Sequence, residues 1–186
     1  MSLHAREAEK YAEAWKIPAY HEFSHGEFHS ELFMEITGAS PGETVIDLGC
    51  GTGKGGKALR KRGLKPAYLD LVKTGNLRPF IEQPLWKPIS GVWDYGLCCD
   101  VMEHLPTEFT MLAVKNMLSF CGGLFLSICF QDESFGELVG EPLHLTVRPF
   151  TWWRDNLREI GTLLEARDFS PPLRQRDMKV GIFYLR

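Results

Sequence analysis

Thr44-Val45-Ile46-Asp47-Leu48-Gly49-Cys50-Gly51-Thr52-Gly53-Lys54 is the stretch whose reading decides the fold. Its first five residues form a short β-branched, apolar run, which reads as a buried strand. Three glycines at alternate positions then allow a sharp turn, and they let a ligand approach main-chain atoms without meeting a β-carbon. Residues 54–62 read as a helix stopped by Gly63. A strand that feeds a glycine turn and then a helix is the first half of a βαβ unit. In a parallel sheet such a turn lies at the carboxyl ends of the strands, where ligands bind.

The rest of the chain extends this unit. Residues 67–72, 78–82, 93–99 and 123–130 read as further strands, and 108–119 and 151–160 as helices, with Thr151 as an N-cap. Strands alternating with helices imply an α/β protein with a doubly wound, mostly parallel sheet. Residues 163–167 and 179–185 have no helix-length segment between them, so they pair as an antiparallel hairpin with Pro171 and Pro172 in the connection. The sheet is then seven-stranded with an antiparallel last strand. One interval is too short. Between Asp70 and Arg78 there is room for a loop but not for the dozen or more residues a parallel crossover normally takes. Ahead of the first strand, residues 5–15 have Ala8, Tyr11, Ala12 and Trp15 at helical spacing, Pro18 stops that helix, and residues 30–37 form another. The organisation is a helical cap or lid over residues 1–42 and a ligand-binding domain over 43–186.

The glycine turn gains meaning from Asp70, which ends the second strand 17 residues beyond Gly53. A carboxylate there can accept hydrogen bonds from both hydroxyls of a ribose. Three cofactor classes could use such a turn. A nicotinamide or flavin dinucleotide calls for G-x-G-x-x-G, and the required third glycine is Lys54. A phosphate loop calls for G-x-x-x-x-G-K-[ST]; read from Gly51 the chain matches until Ala58, which has no hydroxyl for magnesium.

Residues 45–53 resemble the first motif of the class I, Rossmann-like S-adenosylmethionine-dependent methyltransferases. Asp94-Tyr95-Gly96-Leu97-Cys98-Cys99-Asp100-Val101-Met102-Glu103-His104-Leu105-Pro106 is similar to their fourth-strand motif, in which Glu-His-Leu starts the next helix. The resemblance runs from about Thr44 to Arg186. It implies S-adenosylmethionine as cofactor and S-adenosylhomocysteine as product. Asp47, Gly49 and Gly51 then line the methionine part, with Cys50 and Gly53 at the same turn. Asp70 holds the ribose, Leu71 packs on the adenine, and Cys99, Asp100 and Val101 border the sulfonium. No carboxylate follows the third strand, so backbone atoms of Leu85 or the amide of Gln83 stand in as adenine contacts.

Methyl transfer to a hydroxyl needs an aligned nucleophile and usually a base. His104 and His144 are the candidates, because an imidazole titrates near neutrality. Tyr11, Trp15, Tyr20 and Glu103 are candidate acceptor contacts. His21, His25 and His29 fall at i, i+4, i+8, but Ser24-His25-Gly26 argues against the helix that a shared metal ion would need. Glu103 and His104 alone are poor grounds for a metal site, and none is expected.

Composition narrows the function classes. Of 186 residues, 44% are hydrophobic and 24% charged, which suits a folded globular chain. Twenty-one basic and 24 acidic residues leave a net charge of −3, which provides no general attraction to phosphate backbones or anionic lipid. The Asn/Asp-Pro-Pro-aromatic run of amino-methylating nucleic-acid enzymes is absent. The expected partner is therefore a small-molecule acceptor. No apolar stretch is long enough to span a bilayer, and the polar first residues lack a signal core. The five cysteines show no metal-ligand spacing and read as buried reduced thiols, so the expected setting is cytoplasmic. A non-catalytic cofactor-binding subunit and a phosphate-loop enzyme are the alternatives.

Overall fold

The computed structural model describes residues 2–169 and 179–186. Seven strands form one sheet in the order β3-β2-β1-β4-β5-β7-β6. They are β1 (Thr44–Leu48), β2 (Lys65–Asp70), β3 (Phe80–Glu82), β4 (Trp93–Cys99), β5 (Cys121–Cys129), β6 (Leu163–Phe169) and β7 (Val180–Leu185). Only β7 runs against the others, pairing antiparallel with both β5 and β6. The connection expected to hold Pro171 and Pro172 lies outside the described residues. The helices are α1 (Leu3–Ala14), α2 (His25–Phe28), α3 (Ser30–Thr37), α4 (Lys54–Lys61), α5 (Thr107–Phe120), α6 (Gly136–Val139) and α7 (Phe150–Arg158), with 3-10 turns at Pro18–His21 and Met102–His104.

Alternation along the strands builds two core layers. Ile46, Leu48, Leu69, Leu124, Leu126, Ile128 and Phe183 face α5 and α7, where Val114, Met117, Trp153 and Leu157 are fully buried. Val45, Leu97, Phe125, Ile182 and Tyr184 face the other way and meet Phe33 of α3 and Leu59 of α4. Adjacent residues of one strand thus enter opposite layers, as the period of two requires. Among the described residues no helix is long and apolar enough to cross a membrane.

Three local readings need correction, and the short interval after Asp70 is as expected. Strand β2 ends at Asp70, because its carboxylate accepts the N–H groups of Leu71 at 2.7 Å and Val72 at 3.4 Å and turns the chain out of the sheet. The crossover after it has no helix: β3 is a three-residue edge strand, and the loop is tied down by buried Leu77 and by a hydrogen bond from Thr74 Oγ1 to Gly51 O. Residues 25–28 do form one helical turn. Ser24 Oγ caps it by accepting from Glu27 N at 3.2 Å, and Gly26 lies so close to α4 that a β-carbon there would stand 3.1 Å from Gly55 Cα. The glycine that argued against a helix is what lets the turn dock. Finally, the N-cap of α7 is Pro149, not Thr151, which lies exposed inside the helix.

Candidate active site

The chain leaves β1 to one side for β2 and returns on the other for β4, so a crevice opens at the carboxyl ends of these strands. The register places Asp47 of β1 opposite Tyr68 of β2 and Leu97 of β4, so Asp47, Asp70 and Asp100 all lie at the same end of the sheet. Asp47 is 5% exposed and accepts Gly56 N–H of α4 at 2.7 Å. Burial, with the charge of Asp70 added, pushes its carboxyl up to about 7. Asp70 Oδ2 accepts Gly51 N–H at 2.7 Å, which clamps the glycine turn to β2. Burial pushes Asp70 up to about 6. Gly49 has φ +68°, and a β-carbon on it would stand 2.4 Å from Val101 Cγ2, so the turn and the end of β4 touch through bare main chain.

These groups line one cleft that opens to solvent. Asp47, Gly49, Cys50, Gly51, Asp70, Leu71, Leu85, Cys99, Asp100 and Val101 line it, as do Tyr11, Trp15, Tyr20 and His104. Gln83 and Trp86 border the same space beyond β3. Gly53 does not: it faces Leu77 and Tyr68, under the turn. Glu103 is fully buried with Oε1 accepting Cys129 N–H at 2.6 Å, so it faces β5 rather than an acceptor. His144 stands behind His104, with ring centroids 4.6 Å apart and edge-to-face. Thiol burial pushes Cys50, Cys98 and Cys99 up, which keeps them protonated.

The roof comes from two segments far apart in sequence. Helix α1 buries a Glu7–Lys10 ion pair at 2.6 Å, and Glu7 faces the cleft, which its apolar spacing alone did not reveal. Arg6 bridges to Glu141 at 2.9 Å, and Tyr11 Oη lies 2.9 Å from His104 Nδ1 and 3.5 Å from Leu143 O. The Trp15 ring lies over Gly51 and meets Tyr20 edge-on, which in turn meets Phe135. The N-terminal segment is therefore fastened to the connection after β5.

His104 is the last residue of a 3-10 turn that precedes α5, not the first residue of the helix. Burial, reinforced by His144, lowers its imidazole to about 4, against the pull of Asp100. It is neutral at pH 7. Asp100 adopts φ +61° at the end of β4. Burial opposes its charge, but His25, His104 and His144 outweigh it and hold the carboxyl below its ordinary value. His25 Nε2 is 3.6 Å from Asp100 Oδ2, a pairing that the sequence reading, which weighed His25 only as one of three histidines for a metal, did not foresee. The Gly26–Gly55 contact is what delivers it there. His21, His25 and His29 do not gather around one point among the described residues. The geometry speaks against a phosphate loop. Helix α4 starts at Lys54, whose Nζ donates to His21 O and Glu22 O, and Lys57 Nζ donates to Thr52 O.

Similar proteins share the fold. A methyltransferase of Burkholderia thailandensis that acts on 1,6-didemethyltoxoflavin, with S-adenosylhomocysteine bound, superposes with a TM-score of 0.76 at 14% identity, covering 99% of this chain and 86% of its own. The magnesium protoporphyrin IX methyltransferase of Synechocystis PCC 6803, with S-adenosylmethionine bound, gives 0.72 at 18% identity, covering 99% and 96%. In sequence, the ribosomal RNA small subunit methyltransferase A of Deinococcus radiodurans is 27% identical over 118 residues. That match takes in 58% of this chain, which spans 40% of that relative's length. No protein-family model matches. The architecture is the class I, Rossmann-like methyltransferase fold.

Proposed function

We propose that this chain transfers a methyl group from S-adenosylmethionine to a small-molecule acceptor. The observation that carries the reading is the convergence of the bare glycine turn, Asp70 and the end of β4 in one roofed cleft. The residues fit that cofactor. Asp70 accepts three backbone N–H groups and keeps one lone-pair position, on Oδ2, for a ribose hydroxyl, Leu71, Gln83 and Leu85 border the adenine side, and Cys99, Asp100 and Val101 border the sulfonium side. When bound, the cofactor supplies an electrophilic methyl group on a sulfonium. The chain's own work is to align and to exclude water. Tyr11, Trp15 and Tyr20 close the acceptor side, and neutral His104, backed by His144, presents a lone pair to an acceptor proton. Five free cysteines suit a reducing, cytoplasmic setting.

RNA is the acceptor class with one observation in its favour, the partial match to a ribosomal RNA methyltransferase. A net charge of −3 and a roof tied down on both sides weigh against a long anionic strand in this cleft. Incubation with methyl-tritiated S-adenosylmethionine, a metabolite extract and total RNA, followed by size fractionation, tests the reading. Tritium in a small molecule that separates from S-adenosylmethionine on chromatography, and that is absent without the protein, supports it. Transferred tritium confined to RNA, or no transfer at all, overturns it, the latter in favour of a non-catalytic cofactor-binding subunit.

A further inference from the structure

Beyond the glycine turn, the cleft ends in a cluster that methyl transfer as described does not use. Asp100, His104 and His144 each offer a ligand atom, and the three atoms lie within 4.8 Å of one another. They come from three places: the end of β4, the 3-10 turn after it, and the connection after β5. Both imidazoles are fixed by main-chain carbonyls. His104 Nδ1 is 3.2 Å from Leu143 O, and His144 Nδ1 is 2.5 Å from Gln131 O. A carbonyl only accepts, so His144 Nδ1 carries the proton and its Nε2 keeps the lone pair; His104 Nδ1 also has Tyr11 Oη at 2.9 Å and takes the same tautomer when it donates to Leu143 O or to that hydroxyl. An imidazole that donates one ring N–H to a carbonyl and keeps the other nitrogen bare is the usual arrangement of a metal-ligating histidine. At the same spot, fully buried Glu103 lies against the Asp100 carboxylate. Glu103 lies with Asp100 and Cys129 in a group whose ligand atoms are also within 4.8 Å.

We infer that Asp100, His104 and His144 form a binding site for a borderline divalent transition-metal ion at the acceptor end of the cleft. Two nitrogens and one carboxylate oxygen suit manganese, iron, cobalt or zinc, and disfavour magnesium and calcium, which take oxygen ligands. Metal–donor bonds of about 2.1 Å set donor separations of roughly 3–4.2 Å, so closing the triad from separations of at most 4.8 Å takes side-chain shifts of less than about 1 Å each. Asp100 and His104 line the cleft, so the remaining coordination positions face it. Resting on the methyl-transfer reading, the ion selects an acceptor that presents an oxygen donor, a hydroxyl or carboxylate, beside the methylated atom. The His104 lone pair is then used on the metal rather than on a proton.

The test is titration of the metal-free protein with Mn2+, followed by the resonance of the free ion, and with Co2+, followed by visible absorption. One equivalent should bind. Asp100→Asn, which suits the positive φ, and His144→Gln should each weaken binding by at least about a hundredfold, since even outer-shell partners are worth ten- to a hundredfold. If neither ion binds below about 1 mM, or if both folded variants bind as the parent does, the site is refuted. Titration of the same preparations with S-adenosylhomocysteine separates the two claims. Protein that binds the cofactor product but no ion refutes the metal site alone. Protein that binds the ion through Asp100 and His144 but not the cofactor product refutes the methyl-transfer reading and leaves the metal site standing.

Discussion

Replacing Asp47 by Asn isolates the cost of holding a carboxyl where this fold holds one. Asp47 is 5% exposed, and burial followed by the charge of Asp70 lifts it from 3.8 to about 7, against the Gly56 hydrogen bond. Between those two values the folded protein keeps a proton that the unfolded chain has released. The stability contribution is therefore full below 3.8, falls as pH rises, and is lost once pH passes about 7. At 1.36 kcal/mol per pH unit the whole loss is about 4 kcal/mol, an upper limit for a group that can relax. Asparagine cannot ionise, and its carbonyl can accept the same Gly56 N–H. Its amide adds an offset of about 1–3 kcal/mol if left unpaired, but that offset does not vary with pH. Urea unfolding of both proteins without ligand at pH about 4.5, 6 and 8 should show the difference widening by about 3 kcal/mol in favour of the variant across that range. Titrating groups that do not interact with Asp47 cancel in the comparison; Asp70, whose charge acts on Asp47, does so only in part. Parallel stability curves, or a gap that narrows with pH, would refute the reasoning.

Asp70→Ala removes the carboxylate assigned to the ribose, and a charge-assisted bond of about 1.5–3 kcal/mol predicts at least a tenfold loss of affinity for S-adenosylhomocysteine; an unchanged dissociation constant in a folded variant removes Asp70 from that role. Gly49→Ala forces a side chain into φ +68° and to 2.4 Å from Val101. A left-handed residue costs about 1–2 kcal/mol and overpacking a further 1–3, so the melting temperature should fall by several degrees. An unaltered melting curve would show that the turn tolerates a β-carbon.

The sheet was largely legible because its information is local. Val45-Ile46 and residues 124–128 alternate between layers, and β-branched or apolar runs bounded by glycines mark strands without reference to neighbours. Asp47 and Asp70 were legible for the same reason, since each ends a strand beside its turn. What escaped was set by distant contacts. The turn at residues 25–28 exists because Gly26 finds Gly55, so the local helix-breaking reading missed both the turn and His25. Glu7 and Lys10 occupy a buried face because α1 lies on the 130–149 connection, a placement that hydropathy spacing does not encode. Asp100 and His104 are close in sequence, but His144 is 40 residues further on, and only the folded connection brings it to them. Glu103 sits one residue from His104 in sequence yet points the other way, because the 3-10 turn sends neighbouring side chains to different walls.

That the cleft holds S-adenosylmethionine is tested most directly by calorimetric titration of the protein with S-adenosylhomocysteine and, in parallel, with ATP. One equivalent of S-adenosylhomocysteine should bind with measurable heat, ATP should give none, and the heat should weaken in Asp70→Ala. Binding of ATP with no binding of S-adenosylhomocysteine would contradict the account and make the glycine turn a phosphate site after all.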